Sequence, residues 1–412
     1  STPIKSSAAS DVYKRQKGGC IIAMKKICFV TTISGTITSF ILDFAKYMYE
    51  KGDYDITFIC NKDEKFAEDL PTYIHYIPVE MERGISFRGI FACAEMWKIF
   101  RKNKFDLIQY STPNASLYAS IAGSLAGVPV RLYCQWGLAY VGFSGVKRKI
   151  FKCEEKLVCK LSTWIEPDSR GNLSFCHEEK LYPEKKGSVV HKGSASGVSL
   201  KKFDISKKKL YRSEIREQYK IPEKAFVYGF VGRITGDKGI NELLASTKNI
   251  LKSHKDIYVL MVGGVEKETS VNTKLYEWSK ENSHVIYCGS TKEVQKYMSA
   301  MDCYVMPSYR EGFGLTVVEA GAMGIPVICT NIPGPTDAIH NEETGLVIEK
   351  KNEKELRDAI LRIYDDSQFA KKLGQAGYEN VKENYEQKNL FKYILHDREG
   401  LLRKARRRTG KR

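Results

Sequence analysis

Two glutamates eight positions apart, Glu311 and Glu319, frame the stretch "EGFGLTVVE" within an otherwise core-like run. Packing gives an apolar helix no reason to carry one carboxylate at its mouth and another in its second turn. "CYVMPS" ahead of it reads as a strand, which puts Arg310 and Glu311 on the loop after it and starts a helix near Leu315. Gly312 and Gly314 let the backbone come close to a ligand, and the amides from Phe313 to Thr316 are left without helical partners. Such an N-terminus favours an anion, most naturally a diphosphate. Glu311 then faces the ligand from the loop, and Glu319 is placed to accept hydrogen bonds from sugar hydroxyls.

These residues need a scaffold that aims them at one point, and the chain supplies a repetitive one. "KKICFVTT", "YDITFIC", "DLIQYST", "VRLYCQW" and "TWIEPD" read as strands, with helical spacing in "TSFILDFAKYMYEKG" and "FRGIFACAEMWKIFRKNK" between them. The rhythm breaks near residue 191 at "HKGSASGVSLKKFD", a Gly-, Ser- and Lys-rich stretch of linker composition. It restarts with strands "AFVYGFVG", "IYVLMVGG", "VIYCGS", "CYVMPS" and "PVICTN", and long helical segments follow residue 352. Strands alternating with helices predict α/β architecture: two doubly wound parallel sheets, each covered on both faces, with ligands at the carboxyl ends of the strands.

A chain of 412 residues exceeds one hydrophobic core, in keeping with two domains. Its net charge of +17 asks for an anionic partner. Much of the excess is local, in "KRKIFKCEEKLVCK" (147–160) and "RKARRRTGKR" (403–412). No apolar run approaches the ~20 residues of a membrane span. The eleven cysteines are scattered and read as reduced thiols of a cytosolic protein. Residues 1–23 fit neither half: "SAASDVYKRQ" resembles translated sequencing adaptor, and Met24 looks like a start, so a non-native or disordered extension is expected there.

Glu-Gly-Phe-Gly-Leu with its second glutamate resembles the signature of retaining glycosyltransferases of family four, which have the GT-B fold of two Rossmann-like domains around a cleft. The resemblance runs from Met24 to about residue 385, and "FVGRITGDKGI", "TTISGTITSF" and "YCGSTKEV" line up with it. It implies transfer of a sugar, with retention, from a nucleotide diphosphate donor. On this resemblance Arg233 and Lys238 hold the donor diphosphate, Gly35 lies opposite the phosphates, and Ser290 contacts the base. Glu311 orients the donor sugar, with Gly312, Phe313, Gly314, Leu315, Thr316 and Glu319 completing the donor site. The implied division is an acceptor domain over 24–200, a nucleotide-sugar domain over 201–385, and a C-terminal helix with basic tail over 386–412.

Two features depart from the pattern or imitate another. Where many relatives carry a histidine, the loop "CQWGLAYVGFSG" has Trp136, a residue suited to stacking on a sugar face or to packing. "DYD" (53–55) imitates a metal-binding Asp-x-Asp but sits at a strand start, where it reads as a turn; no cofactor and no metal are expected. The segment 147–160 resembles the acceptor-side helix of members that act on lipid-linked sugars. Lys147, Arg148, Lys149 and Lys152 are therefore expected to meet an anionic membrane surface. The expectation is a cytoplasmic enzyme, peripheral at the inner face of the membrane, moving a sugar from a UDP-sugar to a lipid-linked saccharide of bacterial surface polysaccharide. A nucleotide-sugar epimerase of the same fold would need acid and base residues not found here. A nucleic-acid-binding protein would need basic residues interleaved with exposed aromatics.

Overall fold

The computed structural model describes residues 16–17, 20–21, 24–82, 88–266 and 270–409. The extension expected over 1–23 lies outside these residues apart from a two-residue antiparallel ladder, Gln16–Lys17 with Cys20–Ile21. Residues 410–412 of the basic tail are outside them too. The chain forms two compact units, one of residues 1–134, 152–166 and 395–412, the other of residues 135–151 and 167–394.

The first unit holds a six-stranded sheet of β1 (Lys25–Val30), β2 (Tyr54–Cys60), β3 (Ile74–Pro78), β4 (Leu107–Tyr110), β5 (Val130–Gln135) and β6 (Trp164–Pro167). Its order is β3-β2-β1-β4-β5-β6, and the strands from β3 across to β5 pair in parallel. The second unit repeats the arrangement with β7 (Phe226–Val231), β8 (Ile257–Val262), β9 (Val285–Gly289), β10 (Cys303–Met306), β11 (Val327–Thr330) and β12 (Leu346–Ile348), ordered β9-β8-β7-β10-β11-β12. Both orders reverse direction between the first and fourth strands, the switch point at which doubly wound sheets bind ligands.

Alternation along the second sheet explains why both faces are covered. Val227 and Val231 of β7, Leu260 and Val262 of β8 and Tyr304 of β10 enter one core. Tyr228 and Phe230, Val259 and Met261, and Cys303 and Val305 enter the other. A strand apolar at every position is what a parallel sheet sandwiched by helices requires.

The helices that matter below are α1 (Ser34–Phe40), α2 (Arg88–Asn103), α3 (Pro113–Leu125), α4 (Gly145–Leu161), α5 (Arg170–Glu178), α6 (Ile240–Ile250), α7 (Leu315–Ala322) and α8 (Gln387–Thr409). The helical spacing of "TSFILDFAKYMYEKG" is met by two helices: α1 ends at Phe40, and a second, Leu42–Lys51, follows it. "DYD" sits at the start of β2, as expected of it. Asp53 uses its carbonyl to accept from the Lys25 amide at 2.7 Å, and Asp55 pairs with His75 of β3 at 3.2 Å.

Candidate functional site

Every strand of the second sheet ends on the same edge, and three of its loops deliver expected site residues there. The loop after β7 carries Arg233 and Lys238, that after β9 carries Ser290, and that after β10 carries Glu311 through Gly314. Because β7 and β10 are hydrogen-bonded neighbours, the loops following them flank the switch point. Lys238 Nζ donates to Glu311 Oε1 at 2.6 Å, with both side chains mostly buried. The two loops are also joined by backbone and side chain. The Tyr309 amide donates to the Asp237 carbonyl at 2.9 Å, and Arg310 pairs with Asp237 at 3.0 Å.

Gly239 makes that approach possible. It caps α6 at φ 71°, and a Cβ on it would lie 2.0 Å from the Pro307 carbonyl oxygen. A side chain at 239 would push the β7 loop off the β10 loop and Lys238 away from Glu311. Across the same turn, Gly314 stands at the N-cap of α7 with no side chain capping it. The first amides of α7 are thus presented beside Lys238, an arrangement suited to a polyanion.

The other expected residues of this unit sit on neighbouring loops and on α7. Arg233 is exposed and pairs with Glu266, after β8, at 2.6 Å. Ser290 is exposed, and its hydroxyl lies 3.1 Å from where a Cβ on Gly264 would be. Phe313 is buried against Tyr385, and Leu315 packs on the core. The Thr316 hydroxyl accepts from Tyr304 at 2.7 Å, so the side chain anchors α7 to β10 while its amide stays at the helix mouth. Glu319 is partly buried; burial pushes its carboxyl up to about 7, with the Lys202 charge opposing. Gly35 belongs to the other unit, in the first turn of α1, where a Cβ would meet only Ile33 at 4.0 Å.

Residues 26–165 match the family described as "Glycosyl transferase 4-like", and residues 211–380 match "Glycosyl transferases group 1". This chain belongs to the glycosyltransferases. It is 28% identical to the capsular polysaccharide biosynthesis glycosyltransferase CapM of Staphylococcus aureus, over 85% of this chain and 93% of that protein. It is 24% identical to the UDP-Gal:alpha-D-GlcNAc-diphosphoundecaprenol alpha-1,3-galactosyltransferase of Escherichia coli, over 76% of this chain and 81% of that one. The crystal structure of HepE from Anabaena in complex with UDP and glucose superposes with a TM-score of 0.75 at 17% identity, covering 90% of this chain and 99% of that one. At such identity the likeness speaks for the fold, which is GT-B.

Sequence reasoning overlooked three residues of the candidate site, Asp168, Ser169 and Asn172, which lie directly against the Glu-Gly-Phe-Gly loop. Asn172 Nδ2 donates to the Gly312 carbonyl at 2.7 Å, and Ser169 Oγ donates to the same oxygen at 3.4 Å. The Asp168 carboxylate reaches within 2.6 Å of where a Cβ on Gly312 would lie, and the Trp136 carbonyl within 3.0 Å. Burial pushes the Asp168 carboxyl up to about 7; the Asn172 hydrogen bond opposes this, while the Asp337 and Glu311 charges add to it. The available signal was Ser169, a helix N-cap whose hydroxyl accepts from the Asn172 amide at 3.1 Å.

The basic segment 147–160 forms most of α4. Lys147 lies over the Phe143 ring at 4.3 Å, and Arg148 pairs with Glu179 at 3.5 Å. Its apolar residues do not share one buried face. Val158 is buried, whereas Ile150 and Leu157 are exposed together with Val146. Among the described residues no helix is long and apolar enough to cross a membrane.

Proposed function

We propose that this glycosyltransferase moves a sugar from a UDP-sugar to a lipid-linked saccharide of bacterial surface polysaccharide, with retention at the anomeric carbon and no need of a metal. The observation that carries the reading is the Lys238–Glu311 pair at the mouth of α7, on the switch point of the second sheet. Lys238 has two further N–H donors for a phosphate while it holds Glu311. With Arg233 and the amides from Phe313 to Thr316 it stabilises the charge that develops on the departing diphosphate. Glu311 orients the donor sugar, and the acceptor hydroxyl attacks from the face the diphosphate leaves. Glu319 takes the ribose hydroxyls; a carboxyl that titrates near 7 both donates and accepts there. Ser290 meets the base.

The acceptor class is supported by the relatives, one of which by its name acts on a diphosphoundecaprenol-linked sugar and another in capsule synthesis. Lys147, Arg148, Lys149 and Lys152, on a helix that also exposes Val146 and Ile150, supply attraction to an anionic leaflet. Calorimetry tests the donor site. Lys238→Ala should reduce affinity for UDP by at least about tenfold, the size of a lost charge-assisted contact, and leave UMP less affected. An unchanged preference for UDP over UMP in the mutant would remove Lys238 from the diphosphate.

A further inference from the structure

On the first unit, α2 and α3 lie side by side without closing the seam between them. The groove has a volume of about 570 Å3, within the range of about 300–1,000 Å3 typical of ligand pockets. Ile90, Ala94 and Trp97 line it from α2, and Leu117, Ile121 and Leu125 line it from α3. Both stripes repeat at three or four residues, so each is one face of its helix. These are faces a soluble domain normally buries. Here Ile90 is 66% exposed, Phe91 74% and Leu125 70%. Tyr118 forms part of the lining, and it packs so closely on α2 that a Cβ at Gly89 would fall 2.4 Å from its hydroxyl.

Chemistry narrows the occupant. Of the lining side chains only Cys93, Trp97 and Tyr118 carry a hydrogen-bonding atom. The Cys93 thiol already donates to the Tyr118 carbonyl at 3.8 Å, and the Tyr118 hydroxyl accepts from Asn114 at 3.4 Å. A peptide laid in this groove would bring backbone amides with few partners; a hydrocarbon chain brings none. Charge narrows it further. Lys98 adjoins Trp97, and Arg101, Lys102 and Lys104 follow at the carboxyl end of α2, all exposed, with Glu95 and Asp106 as the acids nearest in sequence. In a symmetric pairing of two copies each rim would meet its own positive charges. Exposed bulky apolar side chains, a tryptophan and a row of Lys and Arg on one helix describe an element that lies in a membrane interface.

We propose that the α2–α3 groove is a lipid site, which takes one acyl chain of an anionic phospholipid, with Ile90, Phe91 and Leu125 entering the hydrocarbon boundary and Lys98, Arg101 and Lys102 on the phosphates. It is separate from the α4 lysines and does not depend on the donor reading. Sedimentation of the full chain with vesicles of equal parts phosphatidylglycerol and phosphatidylcholine, at low and high salt, tests it. The exposed-site variant Ile90→Ser/Phe91→Ser/Leu125→Ser should lose about tenfold in partitioning that survives high salt, since apolar insertion is not screened. Its melting temperature and turnover on a soluble acceptor should stay at wild-type values. Ala94→Trp, which fills the groove without removing apolar surface or charge, should show the same loss. Replacing Lys147, Arg148, Lys149 and Lys152 by Ser should instead remove only the salt-sensitive part, so the two membrane contacts fail separately. Wild-type partitioning by both groove variants would overturn the proposal. So would a concentration-dependent dimer that the triple variant abolishes while vesicle binding stays intact.

Discussion

Lys238 and Glu311 are the pair on which the proposed chemistry turns, and each constrains the other. Their 2.6 Å contact fixes the carboxylate on the loop that leads into α7 and ties it to an ammonium from the β7 loop. Glu311→Gln preserves the shape and removes the charge. Transfer should fall by at least about a hundredfold, the loss seen on removing a preorganised electrostatic contact, while UDP affinity changes little. Near-normal turnover would show that Glu311 is not in the mechanism. Asp168 offers a test of a different kind. Its folded-state carboxyl titrates near 7, against 3.8 as its ordinary value, so across that window the folded protein holds a proton that the unfolded chain has released. This contribution to stability is full below 3.8 and is lost as pH rises to about 7. Asp168→Asn removes the titration. Thermal melts should show a gain on the order of 3 kcal/mol above the window, shrinking towards its acid end. A gain independent of pH would mean that Asp168 is not held protonated.

At the scale of elements, the site is made by two loops forced together. The β7 loop reaches the β10 loop because Gly239 leaves the Pro307 carbonyl unobstructed. Gly239→Ala must strain a left-handed residue and separate the loops. A loss of about 1–3 kcal/mol is expected from the backbone. Weaker UDP binding should accompany it, because Lys238 moves with the loop. Wild-type UDP affinity in a destabilised Gly239→Ala protein would mean that the loop contact serves stability alone. The stretch of linker composition also packs as a structural element. Ser194, Ser196 and Val198 are buried, and the Val198 amide donates to the Tyr385 carbonyl at 2.8 Å.

At the scale of the whole molecule, the chain returns at its end to the unit in which it began. Residues 395–409 of α8 belong to the first unit, and Arg398 is buried there. Its Nη2 donates to Glu166 Oε1 at 2.8 Å, its Nη1 pairs with the other oxygen, and its Nε donates to Gln109 at 3.1 Å. A buried carboxylate left alone is costly, so Arg398→Met should destabilise the first unit by about 3–5 kcal/mol. Arg398→Met with Glu166→Leu should recover much of that loss, because no charge is then stranded. An Arg398→Met protein that melts like wild type would make α8 an ornament of the first unit rather than part of its core.

The sequence alone determined the repeated strand–helix alternation, because a parallel sheet covered on both faces demands runs such as "VYGFV" and "YVLMV" that are apolar at every position. It also singled out the Glu-Gly-Phe-Gly loop, since glutamate beside glycines between a strand and an apolar helix has no packing role. Beyond its reach were β3 and β12. Both are sheet edges; β3 ends in a proline and β12 has three residues, so neither carries the continuous apolar run that marks a central strand. Beyond it too was the meeting of distant stretches. That Lys238 holds Glu311, that Asp168 and Asn172 press on Gly312, and that Arg398 neutralises Glu166 depends on strand order and loop path. Pairings between residues tens to hundreds of positions apart leave no periodicity along the chain. The tertiary structure decided them, by bringing the carboxyl ends of neighbouring strands to one edge and by burying charges that only a partner elsewhere in the chain can satisfy.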